Sequence, residues 1–285
     1  MSYECLICQI KSLQQRLDKY EIPEEKRDRI VSDVLKKIAA IDLEKSYSPE
    51  NTRNILAKLK EHSTVEDPYR EEKENANHQL LSRYNEFREL VNKSSDRFDT
   101  ALRLAVAGNI IDFGPGNHFD LEETIKKALT SDIAVNDSKE LREEIKKAKT
   151  ILYLADNCGE VVLDKLFLET IAHPNVWYAV RNEPVLNDVT EKEARAVGID
   201  QFAKIIPNGY DAPSTLLHKV SSQFLELYNN ADLIISKGMG NFEGLMHENN
   251  PRLFFLFMVK CPVISRKVGA AKGELVVKRS KKLTL

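Results

Sequence analysis

The chain has 285 residues, and 42% of them are hydrophobic, which is enough for a substantial core in one large domain or two. Its 42 basic and 44 acidic residues leave a formal net charge of −2, which argues against a polyanion-binding surface and so against nucleic acid as a partner. No apolar run approaches the roughly 18 residues of a membrane span, and the N-terminus lacks the basic start and apolar core of a signal peptide, so we expect a soluble cytoplasmic protein.

The sequence begins with a pair of cysteines in a segment of helical periodicity. Cys5-Leu-Ile-Cys8 heads an amphipathic stretch that runs to about Tyr20. A structural zinc is poorly supported, because no second C-x-x-C and no histidine pair at zinc spacing follows. Four cysteines in a chain of this length do not make a disulfide scaffold. We therefore favour core packing for Cys5 and Cys8, with a disulfide or redox pair as the alternative.

Residues 21–107 have the apolar spacing of an array of helices. Pro23 suits a first helical position, and a longer helix with a heavily charged outer face is predicted from Tyr69 to Val91. We assign residues 1–100 to a helical cap or support region and residues 101–285 to an α/β domain. The chemistry is expected in the second of these regions.

A helix rich in alanine and leucine is predicted to end at Gly108, at the start of a glycine-containing segment that continues to Gly116. Glycines in such a segment permit a positive φ or a close approach of the backbone to a ligand. Asn109 is therefore a candidate ligand contact. Helix termination explains Gly108 and Asn109 about as well, so both interpretations stay open.

From Ile151 onward, strands and helices alternate. Predicted strands cover residues 151–155, 176–180, 203–206, 231–236 and 253–259, and predicted helices cover about 161–171 and 215–228. The first strand has no polar alternation, which is typical of a strand buried on both faces of a parallel sheet. The repeated order of strand, helix and strand predicts an α/β fold with a doubly wound, mostly parallel sheet in three layers.

Polar residues follow each predicted strand, at the edge where doubly wound sheets bind their ligands. They are Asp156, Asn157 and Glu160 after the first strand, Asn187 and Asp188 after the second, Asp211 and Ser214 after the third, Lys237 and Asn241 after the fourth, and Lys260 after the fifth. The adjacent Asp156 and Asn157 supply two hard oxygen ligands, which suits Mg²⁺, Mn²⁺ or a similar divalent cation.

Several of these residues also have a local explanation. Asn157 to Glu160 and Asp188 to Glu191 both have the spacing of a capping box, and Ser214 stands where it could cap the next helix. A cap does not explain Asp156, which precedes the first box. The convergence of oxygen ligands and lysines on one edge is also left unexplained by capping.

Carboxylates and lysines at strand ends suit phosphate chemistry. A divalent ion held by three oxygen ligands would polarise phosphorus and lower the pKa of a bound water. Lysine ammonium groups and the backbone amides of Lys237-Gly-Met-Gly-Asn241 could stabilise the phosphate charge. The sequence has no P-loop, no dinucleotide-binding fingerprint and no G-x-S-x-G elbow, and Asp156-Asn-Cys158 is not the D-x-D of an aspartyl-phosphate phosphatase.

With these residues in hand, the chain resembles the damage-control phosphatase family, also known as domain-of-unknown-function family 89. The matching motifs are Ala107-Gly-Asn-Ile-Ile-Asp-Phe-Gly114, Asp156-Asn-Cys-Gly-Glu160, Asn187-Asp-Val-Thr190, Ser236-Lys-Gly-Met-Gly-Asn-Phe-Glu243 and Lys260-Cys-Pro262. They occur in the family's order, and the N-terminal Cys5-Leu-Ile-Cys8 with its helical region is similar to the prokaryotic branch.

The resemblance implies a metal-dependent phosphatase for small phosphorylated metabolites, such as sugar phosphates or damaged phospho-metabolites, with Mn²⁺, Ni²⁺, Co²⁺ or Mg²⁺ as cofactor. By motif, the metal ligands and catalytic residues would be Asp156, Asn157 and Asp188, and the substrate contacts would be Lys237, Gly238, Asn241, Lys260, Asn109 and Glu160. Asp156 is also a candidate base for the attacking water.

One departure limits the transfer of substrate preference. Eukaryotic relatives carry Arg-Thr shortly before the final lysine, whereas this chain has Phe257-Met258 before Val259-Lys260. Two other functions stay open as alternatives. One is a non-catalytic module that binds a phosphorylated metabolite, and the other is a carboxyl methyltransferase, against which the absence of a glycine-rich cofactor loop after the first strand argues mildly.

Overall fold

The computed structural model of the chain describes residues 1–108 and 121–280, and the first part of it is helical, as the sequence predicts. The helices are α1 (Tyr3–Lys11), α2 (Leu13–Lys19), α3 (Glu24–Ala39), α4 (Ser48–Lys60), α5 (Arg70–Ser82), α6 (Tyr84–Lys93), α7 (Arg97–Ala107) and α8 (Leu121–Thr130). None of the described helices combines the length and apolar composition that crossing a membrane requires.

The prediction of one helix from Tyr69 to Val91 is wrong, because the chain breaks it at Arg83. The Arg83 backbone has φ −109° and ψ 9°, outside the helical range. Arg83 therefore ends α5 and precedes the first residue of α6. Leu80 before the break and Phe87 after it are both buried in the same core. The helical spacing of apolar residues therefore continues across Arg83, so the hydrophobic pattern of the sequence does not reveal the break.

The second part of the described chain forms one sheet covered by helices. The strands are β1 (Ile133–Asn136), β2 (Ile151–Leu154), β3 (Val176–Val180), β4 (Lys204–Pro207), β5 (Leu233–Lys237), β6 (Leu253–Met258) and β7 (Leu275–Arg279), and the helices are α9 (Ser138–Lys147), α10 (Glu160–Ile171), α11 (Glu191–Val197), α12 (Ser222–Asn230), α13 (Gly238–Leu245) and α14 (Pro262–Val268).

The strand order is β1-β7-β6-β5-β2-β3-β4. Strands β4, β3, β2, β5 and β6 are parallel, whereas β7 is antiparallel to β6 and parallel to β1. Among the five parallel strands, successive strands add outward from β2 to β4 in one direction and from β5 to β6 in the other, so the order reverses between β2 and β5. The predicted doubly wound, mostly parallel α/β fold is confirmed.

Both faces of the sheet are buried, which explains the unbroken apolar runs of its central strands. Ile151 and Tyr153 of β2 belong to the core that contains α7 and α10, while Leu152 and Leu154 belong to the core that contains α12 and α13. Successive residues of a strand point to opposite faces, so a strand in the middle layer needs apolar residues at every position.

The helical region contributes to two cores. Helices α2, α3 and α4 enclose a cluster of their own, which also includes Val185 from the loop after β3. Leu80 of α5, Phe87 of α6 and the buried residues of α7 join the core of the sheet. The assignment of residues 1–100 and 101–285 to separate regions stays a prediction.

The helix predicted from Thr215 begins later, at Ser222. Its cap is Ser221, whose side chain accepts a hydrogen bond from the Phe224 amide. The expectation that Ser214 caps this helix is therefore wrong. Thr215 is buried, and its hydroxyl donates to Asn241 Oδ1 at 2.9 Å, so the segment before Ser221 is held against α13 rather than wound into a helix.

Candidate functional site

The site lies where the strand order reverses, at the carboxyl ends of β2 and β5, which is the ligand-binding crevice of doubly wound folds. Asp156 follows β2, and Gly238 begins α13 directly after β5. A Cβ atom on Gly238 would stand 1.8 Å from Asp156 Oδ2, and the φ of Gly238 is +76°. Glycine is thus required here, because any side chain would expel the Asp156 carboxylate from the first turn of α13.

The loops after β2 and β3 run side by side. Asn157 and Asp188 form an isolated antiparallel bridge. The Cys158 amide donates to Asn187 O at 2.8 Å, and the Val189 amide donates to Asp156 O at 2.9 Å. The structure therefore brings together the three residues that the sequence predicts as metal ligands, although metal binding itself stays a prediction.

The capping explanations for these residues are wrong. The N-cap of α10 is Gly159 and has no side-chain cap, while Asn157 donates its Nδ2 to Asp156 Oδ2 at 2.9 Å. The N-cap of α11 is Thr190, which forms a capping box with Glu193. Neither the Asn157 side chain nor the Asp188 side chain caps a helix.

Arg181 joins the two acidic loops. Its guanidinium is 2% exposed and donates from Nε to Asp188 Oδ2 at 2.7 Å, while Nη2 lies 3.9 Å from Asp156 Oδ1. Both carboxylates therefore face one guanidinium and converge. Sequence reasoning missed Arg181, although its position directly after β3, at the same edge as the other candidates, was a signal.

Asn241 completes this group. Its Oδ1 accepts hydrogen bonds from Arg181 Nη2 at 3.1 Å and from Thr215, while its Nδ2 donates to Ala155 O at 2.9 Å and Lys237 O at 2.8 Å. Asn241 is fully buried and ties the end of β2 to the end of β5. We call Arg181, Asp156, Asp188 and Asn241 the Arg181 cluster.

The charge and donor chemistry of the Arg181 cluster suit a hard cation. Two carboxylates and one guanidinium leave one net negative charge, and burial raises the pKa of Asp188 while Arg181 opposes that rise. Among residues 1–108 and 121–280, no group of three or more His, Cys, Asp or Glu side chains is placed to hold a metal ion. A metal here would have two carboxylates and the Asn157 amide oxygen as ligands, and such oxygen donors fit Mg²⁺ or Mn²⁺.

Lys237 lies in a second buried cluster of charged and polar side chains. Its ammonium is fully buried and donates to Glu160, to Asp164 Oδ1 at 2.5 Å and to Ala105 O at 2.9 Å. An ammonium has three N–H donors, and these three oxygens use them all. Lys237 thereby fastens the end of β5 to the last turn of α7.

The rest of this cluster is equally sealed. The hydroxyls of Tyr153 and Tyr178 donate to the two oxygens of Asp164 at 2.6 Å and 2.8 Å. Burial raises the pKa of Glu160 to about 7, against the opposing effect of Lys237. We call Lys237, Glu160, Asp164, Tyr153 and Tyr178 the Lys237 cluster.

The model of the damage-control phosphatase ARMT1-like domain matches residues 1–276 of the chain. The chain belongs to this family. The resemblance found in the motifs is therefore confirmed, and the family assignment covers both the helical region and the sheet.

Archaeal relatives of this family member support a phosphatase role. Damage-control phosphatase PH1575 of Pyrococcus horikoshii is 41% identical over 188 residues, which are 65% of this chain and 66% of that protein. A damage-control phosphatase of Archaeoglobus fulgidus is 31% identical over 221 residues, which are 75% of this chain and 76% of that protein. The crystal structure of the DUF89 family protein PH1575 superimposes with a TM-score of 0.88 at 33% identity and covers 99% of both chains.

The remaining predicted residues of this damage-control phosphatase domain have varied positions. Lys260 is exposed after β6, at the same edge, with its amide 3.2 Å from Met239 Sδ. Asp211 pairs with Arg53 of α4 at 2.8 Å, and so connects the helical region to the loop after β4. Asn109 lies outside the described residues.

Proposed function

We propose that the chain is a metal-dependent phosphatase that hydrolyses small phosphorylated metabolites, such as sugar phosphates or damaged phospho-metabolites. The observation that carries the proposal is the convergence of Asp156 and Asp188 on the Arg181 guanidinium, beside the N-terminus of α13. The names of the archaeal relatives support the reaction class.

The metal ligands in this proposal are Asp156, Asn157 and Asp188. The cofactor would be Mn²⁺, Ni²⁺, Co²⁺ or Mg²⁺, and when bound it supplies a Lewis acid for the phosphoryl oxygen and a water of lowered pKa. Asp156 also orients the attacking water or takes its proton. Arg181 holds Asp188 in its ligating orientation and favours the ionised form that burial disfavours.

The substrate phosphate binds at the first turn of α13 in this proposal. Backbone amides at a helix N-terminus point at an anion, and the helix dipole adds to the attraction. A Cβ atom on Gly240 would stand 2.3 Å from Pro213 O, so this turn is also packed closely against the loop after β4. The exposed Lys260 supplies the ammonium from the neighbouring strand.

Three of the predicted substrate contacts, Lys237, Asn241 and Glu160, have a supporting role in this proposal. Lys237 and Asn241 are fully buried, and both use their polar hydrogens on protein oxygens. They hold the β5–α13 turn in the position that presents its amides. Glu160 supports the same turn through Lys237.

The test is phosphate release from p-nitrophenyl phosphate by the purified protein with added Mn²⁺ or Ni²⁺. We expect turnover that EDTA abolishes and that the Asp156→Ala variant lacks. In a second assay, the rates of phosphate release from a panel of sugar and nucleotide phosphates should differ and identify the preferred substrate. Turnover that persists in EDTA or in Asp156→Ala contradicts the mechanism. Thermal stabilisation by phosphorylated ligands without turnover would favour the binding module instead.

A further inference from the structure

Helix α5 reaches both loops that carry the proposed metal ligands. Lys73 and Asn77 are four residues apart on α5, so they lie on the same face of the helix. Both are buried, in a helix whose sequence is otherwise dominated by charged and polar residues. Neither residue belongs to the Arg181 cluster or the Lys237 cluster.

Asn77 holds the first loop. Its Oδ1 accepts a hydrogen bond from the Gly159 amide at 2.6 Å. Gly159 is the N-cap of α10, has φ +81°, and follows Asn157 by two positions. The amide at this turn has no carbonyl partner within α10, because the first amides of a helix never do. Asn77 therefore fixes the direction in which the chain leaves Asp156 and Asn157.

Lys73 holds the second loop. Its ammonium lies 2.9 Å from Glu193 Oε1 and 2.5 Å from Asp67 Oδ2, with the Lys73 side chain fully buried. Glu193 Oε2 in turn accepts from the Thr190 amide at 3.0 Å. Thr190 follows Asp188 by two positions, so Lys73 reaches the second acidic loop through one intermediate carboxylate.

A buried ion pair of this kind is weak evidence for stability, since well-packed apolar residues often replace one without loss. An ion pair and a hydrogen bond fix the positions of specific atoms, which apolar contacts do not do. Lys73 and Asn77 place that geometry at matching positions, two residues beyond Asp188 and Asn157. Backbone hydrogen bonds join the two loops at Asn157 and Asp188, and α5 anchors each loop separately two residues further along.

We propose that Lys73 and Asn77 are positioning residues that set the distance between the two acidic loops and thereby the affinity of the site for its divalent cation. We call this pair the α5 clamp. The inference rests on the proposed metal site and goes beyond it, because it assigns part of that site to the helical region. Residues that hydrogen-bond directly to metal ligands typically change metal affinity about 10- to 100-fold when mutated, and Lys73 and Asn77 act on the same two loops through Glu193 and Gly159.

The experiment compares Asn77→Ala and Lys73→Met with Leu80→Ala, a buried residue of the same helix that packs in the core of the sheet. Isothermal titration of each protein with Mn²⁺ gives the Kd, and thermal melts without metal give the loss of stability. We expect the two clamp variants to raise the Kd about 10- to 100-fold, whereas Leu80→Ala lowers the melting temperature but keeps the Kd within about threefold. Asn77→Asp keeps an acceptor oxygen at the same atom and should restore most of the affinity.

Clamp variants that are folded, less stable and bind Mn²⁺ with the wild-type Kd would overturn the inference, because their role would then be purely structural. If Lys73→Met does not fold, Asn77→Ala and Asn77→Asp decide the question, since the first removes the hydrogen bond from the Gly159 amide and the second keeps its acceptor. A wild-type protein that binds none of Mn²⁺, Ni²⁺, Co²⁺ and Mg²⁺ in the same titration overturns the proposed function together with the clamp. If the wild-type protein binds the metal and turns over substrate, and the clamp variants bind the metal with the same Kd, only the clamp is overturned.

Discussion

The Arg181 cluster and the Lys237 cluster have the same charge composition but different geometry. Each contains one cation and two carboxylates, at the carboxyl edge of the same sheet. Lys237 contacts both of its carboxylates directly, and two tyrosine hydroxyls close the remaining side of Asp164. Arg181 contacts Asp188 at 2.7 Å but is 3.9 Å from Asp156, beyond hydrogen-bonding distance.

On the proposed function, this difference distinguishes a structural charge cluster from the metal site. Buried charges that are fully paired keep the fold in one arrangement, and further ligands have nowhere to bind. The Arg181 cluster lies beside Gly238 and the N-terminus of α13, at the edge of the sheet where doubly wound folds bind ligands, and its two carboxylates and one guanidinium leave one net negative charge. We therefore expect substitutions in the Arg181 cluster to alter activity most, and those in the Lys237 cluster to alter stability most.

The largest expected effect on activity follows from removing one carboxylate of the Arg181 cluster. Asp156→Asn or Asp188→Asn should lower kcat by more than about 100-fold, since even indirect partners of metal ligands account for 10- to 100-fold. The melting temperature without metal should hold or rise in Asp156→Asn, because one like charge is removed, and should fall in Asp188→Asn, because Asp188 is ion-paired with the buried Arg181. Steady-state kinetics and thermal melts check this, and wild-type activity in Asp188→Asn would argue against a shared cation.

Gly238→Ala tests the contact between α13 and Asp156, with Gly269→Ala as its matched control. Both glycines have positive φ, +76° and +72°, but a Cβ atom at Gly269 meets nothing within 4 Å. The left-handed conformation costs an L-residue about 1–2 kcal/mol at either position. Gly238→Ala should in addition displace the Asp156 carboxylate and remove activity.

The readouts for this pair are urea denaturation and phosphatase assays under identical conditions. Gly269→Ala should lose about 1–2 kcal/mol of unfolding free energy and keep its activity. Equal activity in the two variants would mean that Asp156 does not depend on the tight first turn of α13.

Lys237→Met should affect stability rather than substrate affinity. Removing one partner of a buried ion pair costs about 3–5 kcal/mol, because the remaining charges are uncompensated. Adding Glu160→Gln to the same chain should restore part of that loss. Denaturant midpoints measure the stability, and KM of the folded enzyme measures the affinity. A large rise in KM with unchanged stability would show that Lys237 contacts phosphate.

The smallest expected effect is a pH dependence of stability from Glu160. Its folded pKa is raised to about 7 by burial, although Lys237 opposes the rise, and its ordinary value is 4.5. The folded state therefore holds the proton more tightly than the unfolded chain. This contribution to stability is complete below pH 4.5 and is lost as the pH rises through about 7.

Glu160→Gln should reduce the decline in unfolding free energy between pH 4.5 and about 7. Denaturation in EDTA across the range, for wild-type and variant, is the measurement. An unchanged slope in the variant would mean that Glu160 is ionised in the folded protein throughout.

The sequence predicts the five parallel strands β2 to β6 and misses β1 and β7, on one side of the sheet. Strands β2, β5 and β6 are apolar at nearly every position because they are buried on both faces. Strand β1 has the burial pattern of an edge strand, with exposed and intermediate positions among its four residues. It and β7 therefore do not stand out from the helical segments beside them, and neither was predicted.

The acidic residues of the site were predictable and their surroundings were not. Asp156, Asn157 and Asp188 follow strands, so topology alone brings them to one edge. The partners of Lys237 lie 132 and 73 residues away in sequence, at Ala105 and Asp164, and no local pattern indicates them. The sequence around Lys73 is highly charged and predicts a solvent-exposed helix face, so the burial of Lys73 is seen only in the three-dimensional structure.

The position of β7 has a consequence for how the protein is made. Strand β1 is paired with β7, and Ile133 aligns with Leu275, so the two partners leave the ribosome far apart in time. Until β7 is synthesised, β1 has no strand beside it, and one edge of the phenylalanine-rich β6 stays open. Nascent chains that stop before Leu275 would thus expose an unpaired apolar edge, and they are the forms on which chaperones and proteases should act.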